Sequence, residues 1–474
     1  MLGRNWLLAG AVLLAMAASV EGQDFQSERA AAAQDLVKGL ERHAKWCQSK
    51  GLLAERDRIY RRLIELNPKH QRARRVLCYR KQRDGSWRQV RYRKPANRKT
   101  TSWSEMRTRE QGVVAPYCDR VVAMLARHES EVPSRVSRTM LEWCVALHPD
   151  HPGVQRALGH VNVDGRWLTP EQAAVISRRR KLAAWARECR AGAKVTELTP
   201  SKDESESGVP WAATVQTTHV RLLATVSRPE AERAARAIDG VREFVKRIFG
   251  SAVSLPSGYR IYLLDRPEHV VRLGRAVSSL GPDVVKSAKT LAGVWASRQS
   301  CLVLREETPG RRLDAIVRQS FSWIILGTFN LDPDAQGALC EGLGLYLTKS
   351  YVGTAVTWFG AHGKDGEVSR LKARLISVGA DWRVVGAARF AGTKVPALEE
   401  VLTKTREEMR VDDVLVAGLL VRYLVETRPN DVTRFLSSVA AKQPLKKVIQ
   451  ETLRIEPESL RREFQGWIRA AGQK

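Results

Sequence analysis

One segment occurs twice in the N-terminal part of the chain, and this duplication constrains the fold more than any other feature of the sequence. The first copy, LNPKHQRARRVLCYRKQRDGSW, covers residues 66–87, and the second, LHPDHPGVQRALGHVNVDGRW, covers residues 147–167. The copies align over their whole length with one single-residue gap, which falls before the Asp-Gly pair. Two structural units of the same kind are therefore expected.

The residues around each copy predict helices. A stretch with helical spacing of apolar residues precedes each copy, over residues 34–66 and 118–147. A proline turn follows, and a short helix is then predicted over residues 71–78 and 152–159. With a period of about 80 residues, the pattern predicts a duplicated helical-hairpin unit rather than a dense solenoid array.

Each copy ends in a strand-like run that is broken by an Asp-Gly pair, at residues 84–85 and 164–165. Asp-Gly between two such runs is typical of a two-residue type I′ turn, so both copies are predicted to end in a β-hairpin of that kind. Trp87 and Trp167 follow the turns in matching places, where we expect them to act as hydrophobic plugs against the helices.

The pattern L-x-P-x-H-x-x-A/V-x-x-x-L, present in both copies, resembles the end of a tetratricopeptide-like helical hairpin. The resemblance covers about 45 residues per copy and implies a scaffold or a protein-interaction surface. His70 and His151 hold equivalent positions in it. Because a lone histidine without partner ligands seldom binds a metal, we expect both to have a structural role in the turn.

Residues 1–22 have the pattern of a secretory signal peptide. One Arg precedes the apolar run LLAGAVLLAMAASV, and small residues stand near its end. An N-terminal membrane anchor is the alternative, but the run is shorter than the ~20 residues that a spanning helix needs. The sequence therefore predicts cleavage and an extracytoplasmic mature protein, either secreted or periplasmic.

The net charge of the chain is +28, and it is concentrated in one place. Residues 71–100 contain twelve Lys or Arg and one acidic residue, with aromatic residues interleaved. The candidates for contact with an anionic partner are Arg72, Arg74, Arg75, Arg80, Lys81, Arg83, Arg88, Arg91, Arg93 and Lys94. Such a surface suits phosphates and bases, but a solvated hairpin face is the alternative interpretation. Export favours an acidic polymer or a protein of the envelope or matrix as partner over nucleic acid.

The chain is expected to have an α+β fold in three parts after the signal peptide. A duplicated helical module is predicted over residues 23–198, and a polar, acidic linker over residues 199–212. Residues 213–474 begin with strands and continue with helices, the order of an α+β domain.

Two predicted helices of the C-terminal domain contain short motifs. The first contains VRQSFSW at residues 317–323, and the second contains LCEGLGLY at residues 339–346. With the strands before them, these helices resemble the peptidase MA-like domain of the gluzincin metallopeptidases, over about residues 215–470. In that family the first helix carries H-E-x-x-H, whose two histidines bind zinc and whose Glu activates a water, and the second helix supplies a third zinc ligand.

The resemblance implies the fold but not the activity. Glu341 stands where the family has its third ligand, whereas Gln319 and Trp323 take the places of the two histidines and Ser320 that of the catalytic Glu. No H-E-x-x-H occurs in the chain. We therefore expect a vestigial site, no metal or other cofactor, and an inactive protein that acts as a binding or scaffold module. Trp323 is expected to fill the former site, and Glu341 either to pair with a nearby arginine or to be a carboxylate at the start of a helix, where the macrodipole favours it. An unrelated pair of helices is the alternative.

A hydrolase with relocated catalytic residues is a further alternative. Cys340 could act as a nucleophile with His219, His269 or His362, but nothing in the sequence places these histidines near it. Most of the seven cysteines lie in apolar helical patterns, where we expect small, buried, inert side chains. Their odd number leaves any disulfide pairing open.

Overall fold

The computed structural model describes residues 23–97, 101–250, 259–276, 282, 286, 293–296, 301–305, 308–353, 366–377, 379–392, 395–405 and 408–472. The predicted signal peptide, residues 1–22, lies outside them. Of the helices in these ranges, none is both long and apolar enough to cross a membrane. The chain divides into two compact units, with the boundary between Ala173 and Ala174.

The N-terminal unit is a pair of helical hairpins, each followed by a short helix and a β-hairpin. Its first half consists of α1 (Gln23–Ser49), α2 (Leu53–Leu66), α3 (Gln71–Val76), β1 (Tyr79–Lys81) and β2 (Trp87–Gln89). Its second half consists of α4 (Trp103–Arg127), α5 (Ser134–Leu147), α6 (Pro152–Ala157), β3 (Val161–Val163) and β4 (Arg166–Leu168). Helices α2 and α5, and likewise α3 and α6, begin and end at aligned residues of the two copies.

The helical stretch before each copy is two helices rather than one. The predicted helix 34–66 breaks after Ser49, where Gly51 adopts a left-handed φ of 74° and lets the chain reverse. The predicted helix 118–147 breaks before Pro133, which precedes the first residue of α5. Both breaks occur at residues that favour helix ends, so the two long stretches fold back as antiparallel pairs.

The two β-hairpins have different turns. In the second copy Asp164 and Gly165 have φ values of 52° and 78°, as a type I′ turn requires, so that prediction is confirmed. In the first copy only Gly85 has a positive φ, of 82°, and the loop closes through a hydrogen bond from Gln82 N to Ser86 O at 2.8 Å. The type I′ prediction is wrong there, because the additional residue Arg83 makes the loop one residue longer.

The hydrophobic core of the N-terminal unit lies between its helices. Ile59, Tyr60 and Leu63 of α2 are fully buried in it, as are Cys118 and Cys144 of the second hairpin. Trp87 and Trp167 are only half-buried and lie outside this core, so their interpretation as plugs is wrong. They lie in the second strands of two-stranded hairpins whose faces remain mostly exposed, and such a hairpin offers little surface for burying an indole.

The C-terminal unit begins with strands and a few helices and continues with helices alone, which confirms the α+β class. Its first elements are α7 (Pro170–Ala191), β5 (Thr196–Glu197), α8 (Lys202–Glu206), β6 (Ala213–Gln216), β7 (Val220–Ala224), α9 (Arg228–Phe249), β8 (Tyr259–Leu264), α10 (Pro267–Ala276), β9 (Gly293–Ala296) and β10 (Cys301–Arg305). The helices that follow are α11 (Pro309–Phe329), α12 (Gly337–Val352), α13 (Gly366–Ile376), α14 (Trp382–Arg389), α15 (Leu398–Leu402), α16 (Val411–Thr427), α17 (Val432–Ala440), α18 (Leu445–Val448) and α19 (Pro457–Arg469).

The strands form one mixed sheet in the order β5-β6-β7-β8-β10-β9. Strands β7, β8 and β10 run parallel, and the outer strands pair antiparallel. Helix α9 packs against β6 and β7 with a stripe of buried apolar residues at helical spacing: Ala231, Ala235, Ile238, Val241, Val245 and Ile248. Helices α11, α12 and α16 pack on one another in the same core and position the site.

Residues 199–212, expected to be a linker, belong to the fold of the C-terminal unit. Ser201 caps α8 in a capping box with Glu204. The carboxylate of Glu204 is buried and accepts a hydrogen bond from Arg221 Nη2 at 2.8 Å, while Trp211 Nε1 donates to its backbone oxygen at 2.8 Å. The acidic composition that indicated a solvated linker instead provides a helix cap and a buried ion pair.

Candidate functional site

An ion pair between α11 and α12 occupies the position at which the resemblance places a metal site. Glu341, in the second turn of α12, is only 7% exposed. The guanidinium of Arg318 donates to Glu341 Oε2 through Nη2. The expectation that Glu341 pairs with a nearby arginine is therefore confirmed.

The same face of α11 continues at Ser322, one helical turn after Arg318. A Cβ atom added to Gly344 of α12 would lie 3.3 Å from Ser322 Oγ and 4.0 Å from Arg318 Cγ. The absence of a side chain at Gly344 thus lets the two helices approach closely at this level. The residues of α11 that face Glu341 and Gly344 are accordingly Arg318 and Ser322, at positions i and i+4.

The residues that the sequence placed at the site lie on neighbouring faces of α11. Gln319 is half-buried, and Trp323 is half-buried against the hydrophobic core of the unit. Ser320 is fully buried, and its hydroxyl donates to Ile316 O at 2.7 Å, inside its own helix. In an α-helix, successive residues are about 100° apart around the axis, so positions 319 and 323 are turned away from the Arg318 face.

The pair of α11 residues that faces Glu341 and Gly344 is therefore Arg318 and Ser322. This pair lies one residue before Gln319 and Trp323, which the sequence analysis placed opposite Glu341. Gln319 and Trp323 are four residues apart, and so are Arg318 and Ser322. Each pair lies on one helix face, so the spacing alone does not show which pair faces Glu341. The side-chain contacts with α12 decide between them, and the sequence gives no signal of those contacts.

These side chains do not form a zinc site. A guanidinium stays positively charged and repels a cation, and it already binds the one carboxylate of the constellation. Gln319 carries no charge, and the Ser322 hydroxyl is not among the ligands on which protein zinc sites rely. Within the described ranges, no group of three or more His, Cys, Asp or Glu side chains is arranged to hold a metal ion.

The alternative nucleophile and its histidines lie in separate local settings. Cys340 is buried in the first turn of α12. His269 Nδ1 lies 2.9 Å from Asp265 Oδ1 near the end of β8, and the backbone N–H of His219 donates to Asp239 Oδ1 at 3.1 Å. His362 lies outside the described residues.

A second candidate site is the surface of the first β-hairpin. Nine of the ten basic candidates are exposed, and we call them the basic hairpin surface: Arg72, Arg75, Arg80, Lys81, Arg83, Arg88, Arg91, Arg93 and Lys94. Within the described part of the chain, none of the nine forms an ion pair with a carboxylate. Arg75, Arg80 and Arg91 line a cavity of about 540 Å³, with Tyr79 and Trp87 as aromatic walls.

Arg74 is the exception among the ten, and its assignment as a partner-binding residue is wrong. Its side chain is buried, and Nε donates to the backbone oxygen of Pro68 at 2.6 Å. Its guanidinium carbon lies 5.3 Å from the ring centre of Tyr79 and 4.6 Å from that of Trp87. The residue therefore closes the turn and holds the two rings by cation–π contacts.

The two equivalent histidines have the structural role expected of them, and they perform it as helix caps. Nδ1 of His70 accepts a hydrogen bond from the N–H of Ala73 at 3.1 Å, and Nδ1 of His151 accepts one from Val154 at 3.3 Å. The other ring nitrogens face carboxylates, at 2.6 Å from Glu41 and 3.3 Å from Asp119 respectively. Each histidine thus satisfies a free N–H group at the start of a short helix.

The cysteines are free thiols where their side chains are described, and most are buried as expected. Cys47, Cys118, Cys144, Cys189 and Cys340 are buried, whereas Cys78 is exposed. Burial raises the pKa of Cys47 to about 12, so its thiol stays protonated and inert. The side chain of Cys301 lies outside the description.

No family model matches this chain, and no curated protein matches its sequence significantly.

Proposed function

We propose that this chain is an extracytoplasmic, catalytically inactive metallopeptidase-like protein that acts as a binding or scaffold module. The observation that supports the proposal best is the pairing of Arg318 with Glu341. Where the peptidases need a histidine to donate electrons to zinc, this chain has a cation that neutralises the remaining carboxylate. The pair satisfies a buried charge and leaves no carboxylate available to activate water.

The binding role follows from what is retained around this pair. The proposal is supported by a mixed sheet and by helices α11 and α12, which share one hydrophobic core and carry the Arg318–Glu341 pair. The N-terminal unit adds two helical hairpins of the tetratricopeptide-like kind, whose typical use is protein recognition. A chain with both features is suited to holding partners rather than to converting substrates.

The proposal can be tested directly by building a zinc site on α11 opposite Glu341. The double variant Arg318→His, Ser322→His would place two imidazoles on the face opposite Glu341, and we expect it to bind one zinc ion per chain. The matched control is Gln319→His, Trp323→His. It places the two histidines at the positions expected from the sequence, and it should bind no zinc. Elemental analysis after dialysis against trace zinc measures the difference.

The native protein gives the other half of this test. We expect it to be purified without stoichiometric zinc and to show no chelator-sensitive peptide hydrolysis. Zinc at one equivalent in the native protein, or hydrolysis that a chelator abolishes, would refute the inactive assignment. Equal zinc binding by both double variants would refute the geometry on which the assignment depends.

A second candidate function is binding of an anionic polymer through the basic hairpin surface. It is favoured by the nine exposed cations without carboxylate partners, since structural arginines of this unit, such as Arg58 and Arg62, pair with Glu110. Unpaired surface cations attract polyanions and lose affinity steeply as salt rises.

Chromatography on immobilised heparin at increasing salt tests this second function. The triple variant Arg75→Gln, Arg80→Gln, Arg91→Gln should elute at clearly lower salt than the native protein. The matched control is Arg120→Gln, Arg127→Gln, Arg138→Gln, which removes three exposed arginines that pair with carboxylates. Equal shifts in both triples would show a net-charge effect and contradict a site. Single-stranded DNA in place of heparin shows whether nucleic acid competes.

A further inference from the structure

A cavity of about 300 Å³ lies in the C-terminal unit between α7, α12 and α16 and the start of α14, away from the Arg318–Glu341 pair. Its charged lining residues are Arg179, Lys349, Asp381, Arg422 and Glu426. Its apolar wall contains Leu182 and the ring of Tyr346. A cavity of this size with a few convergent polar groups has the usual character of a small-molecule site.

Both acids of the cavity form ion pairs with its arginines. Glu426 accepts from Arg179 Nε at 2.7 Å and from Arg422 Nε at 3.0 Å. Asp381 accepts from Arg422 Nη1 at 2.7 Å and from the backbone N–H of Arg383 at 3.0 Å. These contacts balance two positive charges with two negative ones and fix the arginine side chains in place.

Lys349 is the one charged residue of the lining that takes no part in these ion pairs. Its ammonium lies 5.4 Å from the ring centre of Trp382, and among the described residues no carboxylate is within ion-pair distance of it. Burial lowers the pKa of Lys349, and the charge of Arg422 lowers it further against the opposing effect of Asp381. A half-buried ammonium with no counter-ion is costly, and proteins seldom keep one without use.

The neighbourhood as a whole has a positive potential. The guanidinium of Arg383 binds the backbone oxygen of Trp467 and lies 4.4 Å from the ring centre of that residue, again without a carboxylate recorded among the described residues. Burial, together with the charges of Arg179 and Arg422, lowers the pKa of Arg383 to about 10. Arg383 does not line the cavity, so it adds to the potential there, while Lys349 is the cation that an entering anion would meet.

We propose that this cavity binds a small carboxylate that carries an apolar group, with Lys349 as its counter-ion. The apolar group would lie against Leu182 and Tyr346, and the hydroxyl of Ser350, which also lines the cavity, would provide a further donor to the carboxylate. The carboxylate could belong to a free organic acid or to the C-terminus of a peptide, since the two share this chemistry.

The close packing of α12 on α16 makes the cavity a built feature. A Cβ atom added to Gly342 would lie 2.7 Å from the backbone oxygen of Ala417, so glycine is needed for the two helices to approach. Lys349 on α12 and Arg422 on α16 therefore line the cavity from two closely packed helices. Such preorganised groups lose little entropy when a ligand binds.

Calorimetric titration of the purified full chain tests the proposal with benzoate as the free acid and N-acetylphenylalanine as the peptide C-terminus. We expect saturable binding of at least one of them and none of benzamide or N-acetylphenylalanine amide, their neutral analogues. The acid that binds more tightly identifies the source of the carboxylate. Absence of saturable binding by both acids would overturn the proposal.

Variants at Lys349 connect the binding to the residue. Lys349→Met should weaken binding about tenfold or more, while Lys349→Arg should keep it within a few-fold because the charge remains. Lys446→Met, at an exposed lysine that does not line the cavity, is the matched control and should bind as the native chain does. Unchanged affinity in Lys349→Met, with its fold verified by circular dichroism, would refute the assignment.

Discussion

The two copies of the repeated segment have nearly the same backbone and very different surfaces. Helices α2 and α5 begin and end at aligned residues, and so do α3 and α6. Even a buried polar contact is kept, since Arg74 Nε and Gln155 Nε2 each donate to the backbone oxygen of the proline six residues before them. The first copy adds exposed cations, whereas the second folds without them.

Comparison of the two copies shows which residues the fold requires and which charges it does not require. The conserved parts are the histidine cap, the left-handed residue after the short helix, and the buried side chain that binds the proline carbonyl. The charges on Arg80 and Lys81 replace Val161 and Asn162 of the second copy, which forms its hairpin equally well. Charge that folding does not need is available for binding, and this strengthens the case for an anionic partner.

The largest expected difference between the copies concerns their cores. Leu63 and Cys144 hold aligned positions, and both are fully buried. Leu63→Ala should lower the free energy of unfolding by about 3 kcal/mol because it leaves a cavity, whereas Cys144→Ala removes one atom's contacts and should cost about 1 kcal/mol. Urea denaturation of the two variants gives both numbers. Equal losses would show that the two cores are not packed alike.

Exchanging charge between the copies should change polyanion affinity by about tenfold. Arg80→Val with Lys81→Asn gives the first hairpin the residues of the second, and its elution from heparin should move to lower salt. The reverse exchange, Val161→Arg with Asn162→Lys, should restore part of the affinity if position on the hairpin is all that matters. If it restores none, the cavity beside Tyr79 and Trp87 is itself required for binding.

The histidine caps should contribute equally in the two copies. His70→Ala and His151→Ala each remove an acceptor for a free N–H group and should each cost about 1 kcal/mol of unfolding free energy. Asn is a good capping residue, so His70→Asn and His151→Asn should recover most of that loss. A loss confined to one copy, measured by thermal unfolding, would show that the carboxylate contact rather than the cap dominates.

The smallest expected effect is at the left-handed residue. Cys78 has a φ of 60° and its counterpart Gly159 a φ of 76°. Cys78→Gly should raise stability by up to about 1 kcal/mol, and Gly159→Ala should lower it by a similar amount, because a side chain is strained in this region. Opposite shifts in melting temperature would support the equivalence of the two turns, and shifts of the same sign would contradict it.

The local pattern of the sequence was sufficient for most elements. The motifs at residues 317–323 and 339–346 lie within helices α11 and α12, as expected, because long amphipathic or apolar stretches specify such helices. The turn of the first hairpin was not predictable from Asp-Gly alone, because Arg83 lengthens the loop. The polar segment 199–212 was misassigned because composition does not show whether an acidic side chain such as Glu204 finds a buried partner.

The candidate site shows the same limit more sharply. The sequence located the two helices and gave an arginine as one of two possible partners of Glu341, and the structure shows Arg318 in that role. The sequence placed Gln319 and Trp323 opposite Glu341, whereas Arg318 and Ser322, which have the same spacing, lie on that face. A helix pattern gives the period of the side chains but not the direction in which the partner helix approaches.

The sequence by itself determined the duplication, the α+β order of elements, the structural role of the two turn histidines and the absence of an H-E-x-x-H motif, because each of these depends on residues close together along the chain. Only the tertiary structure decided which face of α11 meets Glu341, that Arg74 is buried while its neighbours are exposed, and that Lys349 stands without a carboxylate among the described residues. Those features arise from contacts between residues distant in sequence, and such contacts are fixed by how the helices pack.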